Sequence, residues 1–273
     1  MTVSLEEELA EEAIAHGRLI VILATDANTE PRFQTGWRFD SPQIFGVPVE
    51  DLSPAGTVSV DSSALGFPVH SISAVPPGDY IVQAVLHKYE TFTLGNGKTV
   101  HLPMNRGAGQ NWRRAPGNLI SEPKKLRIDP AKDDAIEIVL SKEIAPIEPP
   151  KDTEYVKHIR VKNERLSAFW GRDIYLGAHV LLPHGFENHP DARYPIAVFH
   201  GHFPYDFGGG RTTPPDPDLE CVYSKRFDVP CYNRVQQQAA YDFYKRWIAD
   251  DFPRLLIVQI QHANPPIMTI AMR

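Results

Sequence analysis

Neither a membrane-length apolar run nor an excess of basic residues is present in this chain. No apolar stretch approaches the roughly 20 residues of a spanning helix, so no membrane span is expected. The net charge of −6 leaves no basic surface for nucleic acid, so no nucleic-acid partner is expected. The start, MTVSLEEELAEEAIAHG, lacks the basic and apolar regions of a signal peptide. It therefore predicts a cytoplasmic protein, or a periplasmic or secreted one if the true start lies upstream.

Cysteine is scarce as well. Cys221 and Cys231 are the two cysteines of the sequence, and they bracket nine residues of an irregular stretch. A disulfide between them would staple this loop and would imply an oxidising compartment. Two reduced cysteines are the alternative, and the spacing leaves both open.

Proline, in contrast, is abundant. The 25 prolines favour strands and loops over long helices. Residues 18–145 show short β-like runs between turn signals, without a helical period. The candidate strands are 18–25, 43–49, 56–60, 79–86, 99–103, 125–128 and 135–140. Seven short strands at this spacing predict an antiparallel β-sandwich.

Two segments flank this predicted sandwich. Residues 1–17 are predicted to form a helix, because Ser4 and Glu7 fit a capping box and Gly17 can end it. Residues 146–154 combine prolines with charges and are predicted to be a stiff linker between two domains.

Several aromatic and basic side chains of the predicted sandwich are candidates for a binding surface. They are Trp37, Tyr89, Trp112, Arg113 and Arg114. Together they would line a sugar-binding or substrate-facing surface. The alternative is that they are separate core or surface residues, which is the usual role of scattered aromatics.

The remaining sequence is organised around YPIAVFHGHFPYDFGGG, residues 194–210. Its apolar run is too short for a helix and predicts a buried strand that ends in a tight turn. Strands are predicted at 155–161, 173–183 and 254–262, and a helix lies before the last of them. Strand, loop, helix and strand in this order predict a parallel crossover unit.

The segment LPHGF…YPIAVFHGHF…NRVQQQAAYDFYKRWI…LLIVQIQHANP resembles a family of bacterial esterases. These proteins carry a β-sandwich ahead of an α/β-hydrolase domain, and the resemblance covers residues 155–265. It implies a β-sandwich domain followed by an incomplete α/β-hydrolase domain with a mostly parallel sheet. The implied substrate is a small-molecule or carbohydrate ester, and no cofactor is implied.

The same resemblance implies an oxyanion hole after the strand at 196–199. In such enzymes the loop after this strand supplies a backbone N–H to the developing negative charge. His202 or Phe203 would supply it here, and Gly201 would allow a close backbone approach. Alternatively, Gly201 only makes the turn.

The rest of the catalytic machinery of such enzymes is missing. A hydrolase of this kind needs a serine in a G-x-S-x-G pentapeptide, followed by an acid and a histidine. No such pentapeptide occurs in the sequence, so we predict a C-terminally truncated, inactive member without its triad. Residues 266–273 depart from the family pattern, and we interpret them as a tail produced by a frameshift.

Several histidines could also contribute to a site. His200, His202 and Asp206 could approach a metal, but no further ligand set is recognisable, so no metal is expected. His179, His184 and His189 recur every five residues, but they run from a predicted strand into a loop and need not face one another. The functional alternative to an inactive esterase-like protein is a non-catalytic carbohydrate- or protein-binding β-sandwich protein.

Overall fold

The computed structural model describes residues 1–9, 13–36, 39–94, 96–106, 108, 111–132, 135–200, 207–224 and 226–261. The chain forms two compact units, which divide at Glu148 and Pro149. Each unit has its own hydrophobic core. Strands account for 38% of the residues, so the protein is mostly β.

The first unit is built from eleven described strands and one short helix. The helix, α1, is Pro31–Gln34. The strands are β1 Thr2–Leu5, β2 Ile14–Ala24, β3 Gln43–Leu52, β4 Thr57–Ser59, β5 Leu65–Phe67, β6 Gly78–Lys88, β7 Glu90–Thr93, β8 Thr99–Leu102, β9 Leu119–Ser121, β10 Lys124–Ile128 and β11 Glu137–Glu143. β7 and β8 form a separate two-stranded sheet.

The other nine strands form one sheet in the order β4-β1-β11-β9-β6-β2-β3-β5, with β10 paired to β6. Neighbouring strands are antiparallel except β1 and β11. The predicted two-sheet sandwich is therefore wrong, because a single mixed sheet curls into a half-barrel. The physical reason lies in β2 and β6, each 11 residues long, since long strands twist enough to wrap one sheet around its own core.

Strand β2 shows why the sheet has apolar side chains on both faces. Successive side chains of a strand point to opposite faces. Leu19, Val21 and Leu23 lie in the larger core, whereas Ile20 and Ile22 lie in a smaller cluster on the other face. The uninterrupted apolar run that predicted this strand is thus a consequence of two covered faces.

The predicted helix over residues 1–17 is wrong. Thr2–Leu5 is strand β1, Glu7–Leu9 is a 3₁₀ turn, and β2 has already begun at Ile14. β1 pairs with β11 on one side and β4 on the other, and its residue Val3 is fully buried. Long-range pairing and burial outweigh the local capping signal, which is worth only about 1 kcal/mol.

The described residues of the second unit form four strands and two helices. The strands are β12 Val156–Lys162, β13 Tyr175–Leu181, β14 Ile196–Phe199 and β15 Leu256–Gln261; the helices are α2 Glu164–Trp170 and α3 Tyr232–Ile248. Two 3₁₀ turns, Phe186–Asn188 and Phe207–Gly210, lie between them. The strand order in the sheet is β12-β13-β15-β14.

The predicted mostly parallel α/β-hydrolase sheet is wrong. β13 is antiparallel to both of its neighbours, β12 and β15, and only the pair of β14 and β15 is parallel. The short connection through α2 returns the chain in the opposite direction, so it makes an antiparallel pair. A parallel pair needs a longer crossover, and only the segment containing α3 provides one among the described residues.

Helix α3 covers one face of this sheet. Trp247 is 2% exposed, and its indole Nε1 donates to the carbonyl oxygen of Leu182 at 2.7 Å. Its ring packs with Phe243 and Phe252. Val235, near the N-terminal end of α3, is 49% exposed, so the apolar side chains of this helix are buried only towards its C-terminal end.

Candidate functional site

The sequence places a candidate site at the carboxyl end of β14. In the structure β14 runs parallel to β15, with Val198 opposite Val258, and the chain leaves the sheet at His200. The three oxyanion-hole candidates, Gly201, His202 and Phe203, lie outside the described residues. Asp206, the third member of the metal hypothesis, lies outside them too.

The chain is described again from Phe207, directly after this segment. Phe207 has a φ of 54° and is buried with Tyr155, Leu181 and Trp247 in the core of the second unit. A positive φ is uncommon for a bulky residue, so burial of the ring compensates for a strained backbone. Phe207 therefore fixes the chain to the core directly after the candidate loop, whereas His200, directly before the loop, is exposed.

A buried phenol lies in the same core. The hydroxyl of Tyr155 is hydrogen-bonded to His184 Nδ1 at 3.1 Å, and its ring centroid lies 5.6 Å from that of Tyr244. Burial, followed by the hydrogen bond with Glu154, raises the pKa of Tyr155. The phenol is therefore neutral near pH 7 and can hold His184 in place, but it cannot serve as a general base.

The histidines singled out in the sequence occupy separate places. His179 on β13 faces His158 on β12, with ring centroids 4.6 Å apart, whereas His184 contacts Tyr155. Asp152 Oδ1 accepts the backbone N–H of His158 at 2.9 Å, and this bond is the first cause that lowers the pKa of Asp152. No metal-binding group of three or more side chains is found among the described residues.

Cys221 and Cys231 are joined by a disulfide, with their Cα atoms 4.3 Å apart. The loop that they close contains a β-bridge between Ser224 and Val229. Cys231 also stands at the N-terminal end of α3, so the disulfide ties this loop to the start of the helix.

A second candidate site lies in the first unit, where an open cavity of about 470 Å³ sits on the half-barrel. Its floor is one face of three adjacent strands, since Ile20 of β2 pairs with Gly46 of β3, and Gly46 pairs with Leu65 of β5. Side chains directly opposite one another in a sheet share a face. The cavity is lined by Arg18, Ile20, Thr35, Gly36, Ile44, Gly46, Leu65, Gly66, Phe67, Trp112 and Arg113.

Two guanidinium groups supply the charge of this cavity. Arg18 and Arg113 line it, and no acidic side chain does so among the described residues. The Nε of Arg113 is buried without a hydrogen-bond partner in the described part of the chain. Burial lowers the pKa of Arg113, which marks the low polarity of its surroundings.

The structure brings together only part of the predicted aromatic and basic surface. Trp112 and Arg113 line the cavity, whereas Arg114 lies over the ring of Phe33 and does not. Tyr89 is not part of the lining, and Trp37 lies outside the described residues. Arg18, which also lines the cavity, was not among the residues singled out in the sequence.

No helix in the described part of the chain is long and apolar enough to cross a membrane. Comparison with family models, with curated proteins and with solved structures finds no match to this chain.

Proposed function

We propose that this chain is an esterase-like protein that binds an ester without hydrolysing it. The observation that carries the proposal is the parallel pair of β14 and β15, joined through α3. In the sequence, Gly201, His202 and Phe203 follow His200 at the end of β14. Ligands of open sheets with parallel strands bind beyond the carboxyl ends of those strands.

The chemistry of this site would be limited to polarising a carbonyl. Backbone N–H groups of His202 or Phe203 would donate to the carbonyl oxygen of the ester, as in an oxyanion hole. Formation of an acyl-enzyme also requires an activated serine, and the sequence has no G-x-S-x-G pentapeptide. The ester would therefore be held without being cleaved.

The first test is an assay with p-nitrophenyl butyrate. We expect no more nitrophenol release than from heat-denatured protein, because no serine is activated. Turnover that is abolished by a serine-directed organophosphate would contradict the proposal.

The second test asks whether an ester binds at this site. We expect ethyl butyrate to shift the amide NMR signals of Gly201 and Phe203, and G201V to abolish the effect. E187Q, in the turn between β13 and β14, is the matched control and is expected to retain it. Absence of any ester-dependent shift in the unsubstituted chain would overturn the proposal.

A second candidate function is non-catalytic binding by the first unit, of a carbohydrate or a partner. The specific observation in its favour is the cavity between Trp112 and the face of β2, β3 and β5. Its volume falls within the roughly 300–1,000 Å³ of small-molecule sites, and its lining is mostly apolar with few polar groups. Calorimetric titration with oligosaccharides and with small organic ligands tests it, and W112A should weaken whichever binds.

A further inference from the structure

We propose that the cavity of the first unit binds a small planar carboxylate, an aromatic or unsaturated carboxylic acid, through Arg18 and Arg113. This inference rests on the second candidate function and is independent of the esterase-like one. The floor of the cavity is one face of β2, β3 and β5, and the lining carries both charged and apolar side chains.

The position of Arg18 depends on a missing side chain in the neighbouring strand. A Cβ atom at Gly46 would approach Arg18 Nε to 2.9 Å and Nη2 to 3.0 Å. The guanidinium thus lies over the backbone of β3, in space that any other residue at 46 would fill. Gly46 therefore allows Arg18 to reach into the cavity.

The cavity is positively charged, which favours a negatively charged ligand. Neither Arg18 nor Arg113 forms an ion pair with any residue that the structure describes. Arg113 carries its charge next to a buried donor, its Nε, which is unsatisfied among the described residues, and an anion in the cavity would offset the cost of this partly buried charge. Carboxylates match the planar fork of a guanidinium and accept two parallel hydrogen bonds from it.

The remaining lining favours a flat apolar body. Ile20, Ile44, Phe67 and Trp112 offer aliphatic and aromatic surface next to the two arginines. Aromatic rings pair favourably in stacked or edge-to-face arrangements. The cavity thus offers both guanidinium groups and apolar surface, which are the two features that a ligand with one carboxylate on an aromatic ring requires.

The polar lining is too sparse for a neutral sugar. Among the described lining residues, Thr35 carries the one hydroxyl, and it already donates to the carbonyl oxygen of Arg32 at 3.1 Å. Sugar hydroxyls buried here would lose hydrogen bonds to water without replacing them, which is costly. The observations therefore favour an apolar acid over an uncharged carbohydrate.

The experiment is calorimetric titration of the full chain with cinnamate and with its uncharged analogue, cinnamamide. We expect cinnamate to bind at least tenfold more tightly, because only the acid engages the guanidinium groups. R18Q and R113Q should each weaken cinnamate at least tenfold and leave cinnamamide unchanged. R114Q, which alters an arginine outside the cavity, is the matched control and should bind cinnamate normally.

The possible outcomes separate the inference from the function on which it rests. Equal binding of cinnamate and cinnamamide by the unsubstituted chain would overturn the inference, even if the variants failed to fold. Binding of neutral oligosaccharides without cinnamate would overturn it and leave the binding function standing. If neither class binds, both the inference and the second candidate function are removed.

Discussion

His87 is a partly buried titratable side chain on the same sheet face as the cavity. It lies on β6 opposite Arg18 of β2, and its ring centroid is 5.3 Å from that of Tyr89. Its Nε2 is buried without a hydrogen-bond partner among the described residues. Burial lowers the pKa of His87 from 6.5 to about 4, so the folded protein holds a neutral imidazole at pH 7.

This histidine predicts a loss of stability in acid. Between pH 6.5 and about 4 the unfolded chain binds a proton that the folded chain excludes, so stability falls as the pH falls through this window. The contribution is at most about 3 kcal/mol. H87Q should lack this part of the pH dependence, which urea unfolding of both proteins from pH 7 to pH 4 measures. Parallel stability curves for the two proteins would contradict the assignment.

Tyr80 is a second residue whose side chain is expected to contribute to stability. Its hydroxyl donates to the carbonyl oxygen of Pro76 at 2.8 Å, and its ring lies in the larger core. We expect Y80F to lower the free energy of unfolding by about 1 kcal/mol, because the carbonyl loses its donor while the ring stays packed. Urea unfolding checks this, with Y175F on the exposed end of β13 as a control that should change little.

At the scale of elements, the disulfide is expected to stabilise the loop before α3. Cys221 and Cys231 are ten positions apart, and closing a loop of this length is worth about 3 kcal/mol in the chain-entropy account. The double variant C221S/C231S should therefore be cleaved faster between residues 221 and 231 in limited proteolysis. Unsubstituted protein treated with reductant is the control and should behave like the variant; equal cleavage with and without the disulfide would contradict the prediction.

Strand β14 also has an unexpected environment. It was predicted to be buried on both faces, but Ile196 is 62% and Val198 is 59% exposed. The strand is apolar, as the sequence shows, but α3 covers only the opposite face of the sheet. Ile196 and Val198 therefore stay exposed.

At the scale of the whole molecule, this uncovered face predicts self-association. Ile159, Val161, Leu176 and Ile260 are also exposed and lie on the same face as Val198. Contiguous exposed apolar surface promotes association. V198K should lower the weight-average mass in sedimentation velocity at high protein concentration, whereas Q236K on the polar surface of α3 should not. A monomeric unsubstituted chain would contradict this prediction.

Predictions from the sequence succeeded where a signal was local. The apolar runs at 18–25, 196–199 and 254–262 form strands β2, β14 and β15, and the stretch before β15 forms α3. Of the residues proposed for a binding surface, Trp112 and Arg113 line one cavity. Arg18 was missed, since its place in the cavity depends on the pairing of β2 with β3.

The amino-acid sequence by itself indicated strands such as β2, β14 and β15 and the helix α3, because backbone preference and apolar pattern act over a few residues. For residues 1–17 the local signal indicated a helix, and this was wrong. Only the tertiary structure decided how the strands pair. It placed Thr2–Leu5 between strands that are distant in the chain, joined the first unit into one curled sheet, and left the second unit mostly antiparallel. These outcomes depend on burial and hydrogen bonding between segments far apart, whose energies exceed the local preferences that the sequence displays.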